Sequence, residues 1–382
     1  MANERRQLAL FAGAALASAL VACSDSSFES VTDPDGPFVG VDTQEAMIDL
    51  GFRIMFDERL SRPHGVACGT CHDPFLGWGD SRPQGKGVQD NSLSGVGHEG
   101  TIAVEGARFK TILTPRNTPT IYNSHLFTNL FWDGRALDLG HQAQFPFEAG
   151  PEMNSSWDEH ILPIMQDDTE YQGLFEAAFG PGAEHINQVN ASLAVGAYEA
   201  TITVFDTPYD AFLAGDAGAL TPQQQEGHDL FFGKADCGRC HPAPFLTDFS
   251  FHNTGVPEAG VNALNGVVDL GFGQRTDLEL IGTQEGGTEI AVDEPENYAK
   301  FKTPQLRMVS VTGPYMHNGA LLTLEDVVDF YDAGGGPDLT IPILGAGNGT
   351  KDPDLAPLGL TASERAALVA FLEVALTGTE IR

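Results

Sequence analysis

Two short motifs in this sequence combine cysteine and histidine at a spacing suited to holding a porphyrin. Both read Cys-x-x-Cys-His. Two thiols three residues apart can bond the two vinyl groups of one porphyrin, and the adjoining imidazole can then bind its iron. The sequence therefore predicts two covalently bound c-type haems. The attachment residues are Cys68, Cys71 and His72 for the first haem, and Cys237, Cys240 and His241 for the second.

The same residue types also occur in zinc sites and in thiol-redox sites. A Cys₂His₂ or four-cysteine zinc site, or a thioredoxin-type dithiol, would also be compatible with the cysteine spacing alone. These readings stay open, but two complete copies of the motif in one chain favour haem attachment.

The remaining cysteine, Cys23, lies at the end of a sequence typical of a leader. Two arginines precede the apolar run 8–21, which is too short to span a membrane stably. The run ends in Leu-Val-Ala-Cys, which resembles the lipobox of bacterial lipoproteins. We therefore expect residues 1–22 to be a signal peptide and residues 23–41 a tether. The mature protein would be a periplasmic lipoprotein, anchored to the outer membrane by a lipid on Cys23. The alternative is an ordinary secreted protein.

Composition excludes two other classes of protein. The chain has 382 residues and a formal net charge of −33, so a nucleic acid is not expected as a partner, because phosphate would be repelled. Hydrophobic residues make up 42% of the chain, which is enough for a packed core and excludes wholesale disorder.

The two haem motifs must be positioned by the segments that precede them, and these segments are related. Leu50–Phe56 comes before the first motif and Glu226–Phe232 before the second, each with a glycine followed by apolar residues at helical spacing. This similarity predicts a duplicated cytochrome c-like unit. The fold class is mainly α, with two cytochrome c-like haem domains over residues 42–206 and 207–382.

Apolar periodicity and capping residues predict a small set of helices. The last of them opens with Thr-Ala-Ser-Glu, a capping-box pattern. Long irregular loops rich in glycine and proline run between them, and the haems would supply the apolar core that these loops enclose. The helices are predicted over Thr43–Arg59, Ala191–Phe205, Thr221–Phe232, Leu324–Tyr331 and Thr361–Leu376.

Beyond the haem motifs, the sequence from Thr43 onward resembles the bacterial di-haem cytochrome c peroxidase and MauG superfamily. The resemblance implies an enzyme that reacts with hydrogen peroxide at the first haem. It is carried by the segments Arg116–Thr120, Phe131–Arg135, Phe251–Gly255, Thr303–Arg307, Pro314–Gly319 and Thr323–Val327.

This resemblance assigns four residues to the peroxide reaction. Trp132 matches the family's tryptophan between the two haems, where an oxidisable indole divides one long electron transfer into two short ones. Glu152 matches a pocket carboxyl that takes a proton from one peroxide oxygen and returns it to the other, its pKa raised by burial. Gln142 would hold peroxide or water, and Pro146 would shape the pocket.

The resemblance also implies a calcium ion between the haems. Its ligands would be the side chain of Asn117 and the carbonyls of Thr312 and Pro314, completed by water, and hard oxygen ligands of this kind suit calcium. The first haem, on His72, should be open to peroxide. His98 lies where some peroxidases carry a histidine that caps this haem.

The second iron ligand of the haem on His241 separates the branches of the family. The peroxidases have a methionine there, whereas at the matching position this chain has Tyr331, as in MauG. A phenolate stabilises the more oxidised iron states, so both haems would share the oxidising equivalents of peroxide as a bis-Fe(IV) state. Met308 and Met316 are the rival ligands, and Tyr331 would then be a packing residue.

Within the tyrosine-ligated branch the chain most resembles the MbnH-type enzymes. These oxidise tryptophan to kynurenine in copper-binding partner proteins. MauG passes oxidising equivalents through a surface tryptophan before the second haem motif, and this chain has Ala235 at that position. Another exit is needed, and Trp78 and Trp157 are the candidates.

Three functions are thus expected in order of preference. The first is peroxide-dependent oxidation of a partner protein, possible partners being copper-binding exported proteins. The second is peroxide removal with electrons from a small cytochrome or cupredoxin. The third, a non-catalytic electron carrier, is disfavoured because electron transfer alone needs no pocket acid such as Glu152.

Overall fold

The computed structural model describes residues 41–90, 110–260, 269–272, 297–338 and 350–378. The predicted signal peptide, Cys23, the tether and His98 lie outside the described residues. From residue 42 onward the described residues belong to one compact unit. The division into two haem domains at residue 206 stays a prediction.

The described chain is mainly α-helical, as the sequence predicts. Most helices are short, and five of the predicted ones recur with shifted ends. The helices are α1 (Val41–Met55), α2 (Cys68–Cys71), α3 (Leu139–Gln142), α4 (Phe145–Glu148), α5 (Leu162–Asp167), α6 (Thr169–Phe179), α7 (Gln188–Glu199), α8 (Pro208–Leu213), α9 (Pro222–Phe231), α10 (Leu324–Asp332) and α11 (Ala362–Ala370).

Side-chain caps explain where several helices begin. Thr221, Thr323 and Thr361 each accept a hydrogen bond from the backbone N–H three residues later, which satisfies a donor that the first turn leaves unpaired. The capping box predicted at Thr361 is present. Helix α11 continues as a π-helical turn over Phe371–Ala375.

Two predicted helices end earlier than their apolar patterns suggest. Helix α1 ends at Met55, because the side chain of Asp57 caps a separate 3₁₀ turn, Glu58–Leu60. Helix α7 ends at Glu199 rather than Phe205. There the chain turns away to pair with Asn123, which exchanges hydrogen bonds with Val204 through both side-chain atoms.

Strand structure is sparse in the described residues. The pair β1 (Lys86–Asp90) and β2 (Lys110–Leu113) is antiparallel, with Lys86 opposite Leu113. The pair β3 (Phe251–His252) and β4 (Phe301–Lys302) is also antiparallel and joins two segments that line the haem cavity described below.

The two halves repeat one packing arrangement. Gly51 on α1 approaches the Ala194 carbonyl of α7 so closely that a side chain would not fit, and Gly227 on α9 approaches the Ala367 carbonyl of α11 in the same way. Five residues after each glycine a phenylalanine ring covers the glycine of the haem motif, Phe56 on Gly69 and Phe232 on Gly238. The contacts agree with a duplicated unit.

Two separate apolar clusters support these repeats. One includes Leu50, Ile54, Phe147, Met165 and Phe175 and lies entirely within residues 42–206. The other is built by α8 to α11 and their flanking residues. Within the described ranges, no helix is both long enough and apolar enough to cross a membrane.

Candidate haem-binding site

A cavity of about 1690 Å³ connects the two Cys-x-x-Cys-His motifs. This volume exceeds the roughly 300–1,000 Å³ of a single small-molecule site, so the cavity has room for more than one ligand. Every attachment residue predicted from the sequence lines it, namely Cys68, Cys71, His72, Cys237, Cys240 and His241.

The first motif is held in a conformation that suits iron ligation by His72. The segment Cys68–Cys71 forms helix α2, and Nδ1 of His72 lies 3.0 Å from the carbonyl oxygen of Trp78. Donation through Nδ1 leaves Nε2 with its lone pair free for a metal. Burial lowers the pKa of His72, which keeps the imidazole neutral as a ligand requires.

The second motif repeats this geometry. His241 Nδ1 lies 2.8 Å from the carbonyl oxygen of Leu246, and burial lowers the pKa of His241 as well. The motif itself begins with a 3₁₀ turn, Cys237–Arg239. Both histidines can therefore present Nε2 to an iron, so the residues fit two c-type haems.

The cysteines are better suited to thioether formation than to zinc. The four haem-motif cysteines are in no disulfide, and burial raises the pKa of Cys68 and of Cys237 to about 12, which opposes the thiolate form that zinc needs. Among the described residues, the one group of three or more His, Cys, Asp and Glu donors close enough to share an ion is Cys240, Asp248 and His252. Neither motif therefore forms a Cys₂His₂ or four-cysteine zinc site.

The three predicted peroxide-pocket residues all line the cavity. Gln142 ends α3, Pro146 lies in the first turn of α4, and Glu152 follows in the next turn. Asp138 caps α3 by accepting the backbone N–H of His141, which fixes the start of this wall. The structure thus brings the three residues together.

The carboxyl of Glu152 has the properties expected of a proton-transfer group. Burial raises its pKa, and the positive charge of Arg135 opposes the rise. The Arg135 guanidinium lies 3.5 Å from the centre of the Phe131 ring and forms an ion pair with Asp133 at 3.0 Å. The sequence identifies Arg135 only as the end of the segment Phe131–Arg135 and does not predict its position beside Glu152.

Trp132 is fixed in the cavity wall by its neighbours. Its Nε1 donates to the carbonyl oxygen of Asn117 at 2.9 Å, and its own carbonyl accepts the N–H of Lys302 at 2.8 Å. The next residue, Asp133, is buried and forms a 2.5 Å ion pair with Arg116. The indole is therefore held at a defined place in the cavity that both haem motifs line.

The candidate calcium ligands also line this cavity. Asn117, Thr312 and Pro314 all contribute to its wall, and the N–H of Asn117 donates to the carbonyl of His317 at 2.7 Å, which brings the two segments together. The Asn117 side chain donates through Nδ2 to the carbonyl of Arg82. This bond leaves Oδ1 as a hard oxygen donor, so the residues fit calcium. The ion itself stays a prediction.

Tyr331 lies at the end of α10, in the cavity and beside the second motif. Burial raises the pKa of its hydroxyl, and negative charge on Cys237 and Cys240 would raise it further, whereas a hydrogen bond to Thr254 opposes the rise. The pocket by itself therefore keeps the phenol neutral. A ferric ion would have to supply the charge that favours the phenolate.

The two rival ligands differ in position. Met308 is 1% exposed in a cluster with Met55 and Trp78, and its sulfur accepts the N–H of Gly378 at 3.1 Å. It lies in the core rather than in the cavity wall, so it is not placed to bind the iron. Met316 does line the cavity. Tyr331 as the ligand stays a prediction, with Met316 as its one rival on the wall.

The structure adds two buried ionisable groups that sequence reasoning missed. Burial raises the pKa of Glu199 to about 8, and burial lowers the pKa of Lys302 to about 7 although Asp133 opposes the change. Both residues line the cavity. Burial of Glu199 could have been predicted from the sequence, because Glu199 follows Val195 at helical spacing on the apolar face of the predicted helix.

The two candidate exits for oxidising equivalents, Trp157 and Trp78, lie in different surroundings. Trp157 is 6% exposed and packs edge-on against Phe147 inside the first apolar cluster. Trp78 is also buried, but its carbonyl oxygen is hydrogen-bonded to His72, the histidine of the first motif. Ala235, at the position of MauG's surface tryptophan, is buried in the second cluster.

Three comparisons with known proteins agree with one another. A sequence model of the di-haem cytochrome c peroxidases matches residues 45–218. The cytochrome-c peroxidase IdrP2 of Denitromonas iodatirespirans is 34% identical, over 97% of this chain and 91% of that protein. The methylamine utilization protein MauG of Methylorubrum extorquens is 33% identical, over 85% of this chain and 77% of that protein.

Among solved structures, a MauG-like protein associated with microbial copper homeostasis matches the fold. Its TM-score is 0.66 at 30% identity, and the match covers 88% of this chain and 91% of that one.

Proposed function

The chain belongs to the di-haem cytochrome c peroxidase and MauG family, and on that premise we propose that it uses hydrogen peroxide to oxidise residues, tryptophan first, of a partner protein. The family is one of oxidoreductases with two c-type haems, and its members include both peroxidases and MauG proteins. The choice between these activities depends on the second haem.

The position of Tyr331 is the observation that carries the proposal. Tyr331 lines the cavity beside Cys237 and Cys240, whereas the sulfur of Met308 lies in a core cluster. An anionic oxygen ligand favours oxidised iron, whereas a thioether favours ferrous iron and acceptance of electrons from a donor. A tyrosine at this place therefore favours an enzyme that uses peroxide to oxidise something else.

When bound, the two haems supply the redox chemistry that takes up the oxidising equivalents of peroxide. Glu152 moves one proton from the near oxygen of peroxide to the far one, and burial raises its pKa, which favours taking up that proton. Gln142 orients peroxide by hydrogen bonding, and Pro146 limits the space beside it. Trp132, held at Nε1 by Asn117, provides the electron path between the two haem sites.

The finer identity is proposed as MbnH-like. The solved neighbour associated with copper homeostasis supports it, since MbnH-type enzymes act on copper-binding partners. The partner would then be an exported copper-binding protein. We further propose one calcium ion on Asn117, Thr312 and Pro314, and attachment to the outer membrane through a lipid on Cys23.

A second function is supported by the names of the relatives. The proteins IdrP2 of Denitromonas iodatirespirans and of Pseudomonas are both called cytochrome-c peroxidases. A peroxidase would remove peroxide with electrons from a small cytochrome or cupredoxin, and the acidic chain would favour a basic donor.

One experiment separates the two functions. Exported proteins of the source cells are treated with peroxide, with and without the holoenzyme, and mapped by mass spectrometry, and ferrocytochrome c oxidation is followed in parallel. Enzyme-dependent oxygen addition at tryptophan of one protein supports the proposal. Turnover of ferrocytochrome c without any modified protein would replace it by the peroxidase function.

A further inference from the structure

We propose that Trp78 and Tyr198 form a relay that carries oxidising equivalents from the first haem site to the protein surface. The inference rests on the proposed function, because it supplies the exit that oxidation of a partner protein requires. It concerns two side chains that lie outside the peroxide pocket.

The inner end of the relay is attached to the ligand of the first iron. The carbonyl oxygen of Trp78 lies 3.0 Å from Nδ1 of His72, and His72 lines the cavity. The indole of Trp78 is 3% exposed. An oxidisable ring is thus connected to the first haem site through one hydrogen bond and the backbone of its own residue.

The next step is a direct ring contact. The centroids of Trp78 and Tyr198 are 6.1 Å apart with the planes at 68°, within the range of edge-to-face pairs, about 4.5–7 Å. Tyr198 lies on α7 and is half-buried, and its ring contacts Phe52 at 5.4 Å and Phe56 at 6.4 Å.

The outer end reaches solvent. Phe52 is 53% exposed and Phe56 is 37% exposed, and Phe56 also covers Gly69 of the first haem motif. Tyr198 is half-buried, does not line the haem cavity and contacts both of these exposed rings. An electron donor at the surface could therefore reach Tyr198 without entering the haem cavity.

The pseudo-symmetric half shows that this arrangement is not a requirement of packing. Gly51 contacts Tyr198 on α7, and Gly227 contacts Phe371 after α11, so Phe371 occupies the matching place. The carbonyl that accepts from the haem-motif histidine belongs to Trp78 in the first half and to Leu246 in the second. In the second half, Phe371 takes the place of Tyr198 and Leu246 that of Trp78, and both of these side chains resist oxidation.

The electron balance is simple. One peroxide takes up two electrons and two protons and yields two water molecules. Each electron passes from the partner residue to oxidised Tyr198, then from Tyr198 to oxidised Trp78, and then into the haem pair, so both rings end unchanged. Among the described residues no group hydrogen-bonds the buried Nε1 of Trp78, so its proton stays in place, and Tyr198 exchanges its hydroxyl proton with water.

The relay is tested on the holoenzyme with hydrogen peroxide alone. Samples are frozen after one equivalent of peroxide and examined by electron paramagnetic resonance. The proteins compared are tyrosine-deuterated wild type and the variants Tyr198→Phe, Trp78→Phe and Tyr209→Phe. Stopped-flow absorbance follows the return to the resting spectrum. Tyr209 is the matched control, because it is fully buried in the second half and its hydroxyl has no hydrogen-bond partner in the described part of the chain.

The relay predicts a tyrosyl signal that disappears in Tyr198→Phe and weakens in Trp78→Phe. Both variants should return to the resting spectrum more slowly, on the order of tenfold, and Tyr198→Phe should keep the wild-type rate of reaction with peroxide. Tyr209→Phe should match wild type. Because no partner residue is present to reduce the oxidised rings in this test, peptide mapping of peroxide-treated wild type should find added oxygen at Trp78 or Tyr198.

Two other results would count against these ideas in different ways. If Tyr198→Phe keeps the tyrosyl signal and the wild-type return rate, the relay is wrong and the proposed function survives. If peroxide produces no oxidised state in wild-type holoenzyme, the proposed function fails, and the relay fails with it.

Discussion

Replacing Glu152 by glutamine should slow the reaction with peroxide and leave haem binding intact. Glutamine keeps the size of the side chain but cannot take a proton from peroxide. A positioned acid–base group contributes about 10²–10⁴-fold. At about 1.4 kcal/mol per tenfold change, the barrier should rise by roughly 3–5.5 kcal/mol.

The structure favours the upper part of this range. The carboxylate closest in the chain, Glu148, accepts the backbone N–H of Trp157 at 3.0 Å, so one of its oxygens is already engaged. Gln142 and Pro146 stay in the cavity wall, so peroxide should still bind. The loss is expected in the chemical step.

The assay is stopped-flow absorbance with increasing peroxide. Glu148→Gln is the matched control, since it makes the same substitution in the same wall and should react at the wild-type rate. Haem content and thermal unfolding of each variant exclude a folding defect. A rate for Glu152→Gln within a few-fold of wild type would refute the role of Glu152 in moving the proton.

Three further predictions concern packing, charge and metal. Gly51→Ala should lower the free energy of unfolding by about 1–3 kcal/mol, because its methyl group would meet the backbone of α7. Gly173→Ala, on an open helix surface, should be neutral or stabilising by up to about 1 kcal/mol. Equal shifts in melting temperature for the two variants would contradict this prediction. Glu199 has a native pKa near 8 against about 4.3 when unfolded, so wild type should lose stability as pH rises between these values. The melting temperature of Glu199→Gln should therefore gain on wild type over that interval, and a pH-independent difference would argue against it. Removal of one calcium per chain by a chelator should alter the haem spectra, and Asn117→Ala should bind none by elemental analysis.

Local sequence was sufficient for the parts of the site that depend on spacing. The haem attachment residues follow from three-residue separations, and the starts of α9, α10 and α11 follow from threonine caps. Glu152 and its companions came from the family resemblance, and the structure brings them into one cavity wall.

The remaining features depend on contacts between distant segments. The end of α7 is set by Asn123, far away in the chain, so periodicity alone extended the helix to Phe205. Met308 was a rival ligand by residue type, yet it packs with Trp78 in a core cluster and does not line the cavity. The contact of Trp78 with Tyr198 has no local signature either.

The proposed function depends above all on ligation of the second iron by an oxygen anion from Tyr331. The most direct measurement is the ferric absorption and electron paramagnetic resonance spectrum of wild type and Tyr331→Phe, each with two haems per chain. If Tyr331 is the ligand, the second-haem signal should change its ligand-field parameters in the variant while the first-haem signal persists. An unchanged second-haem signal would contradict it and leave Met316 as the ligand to examine.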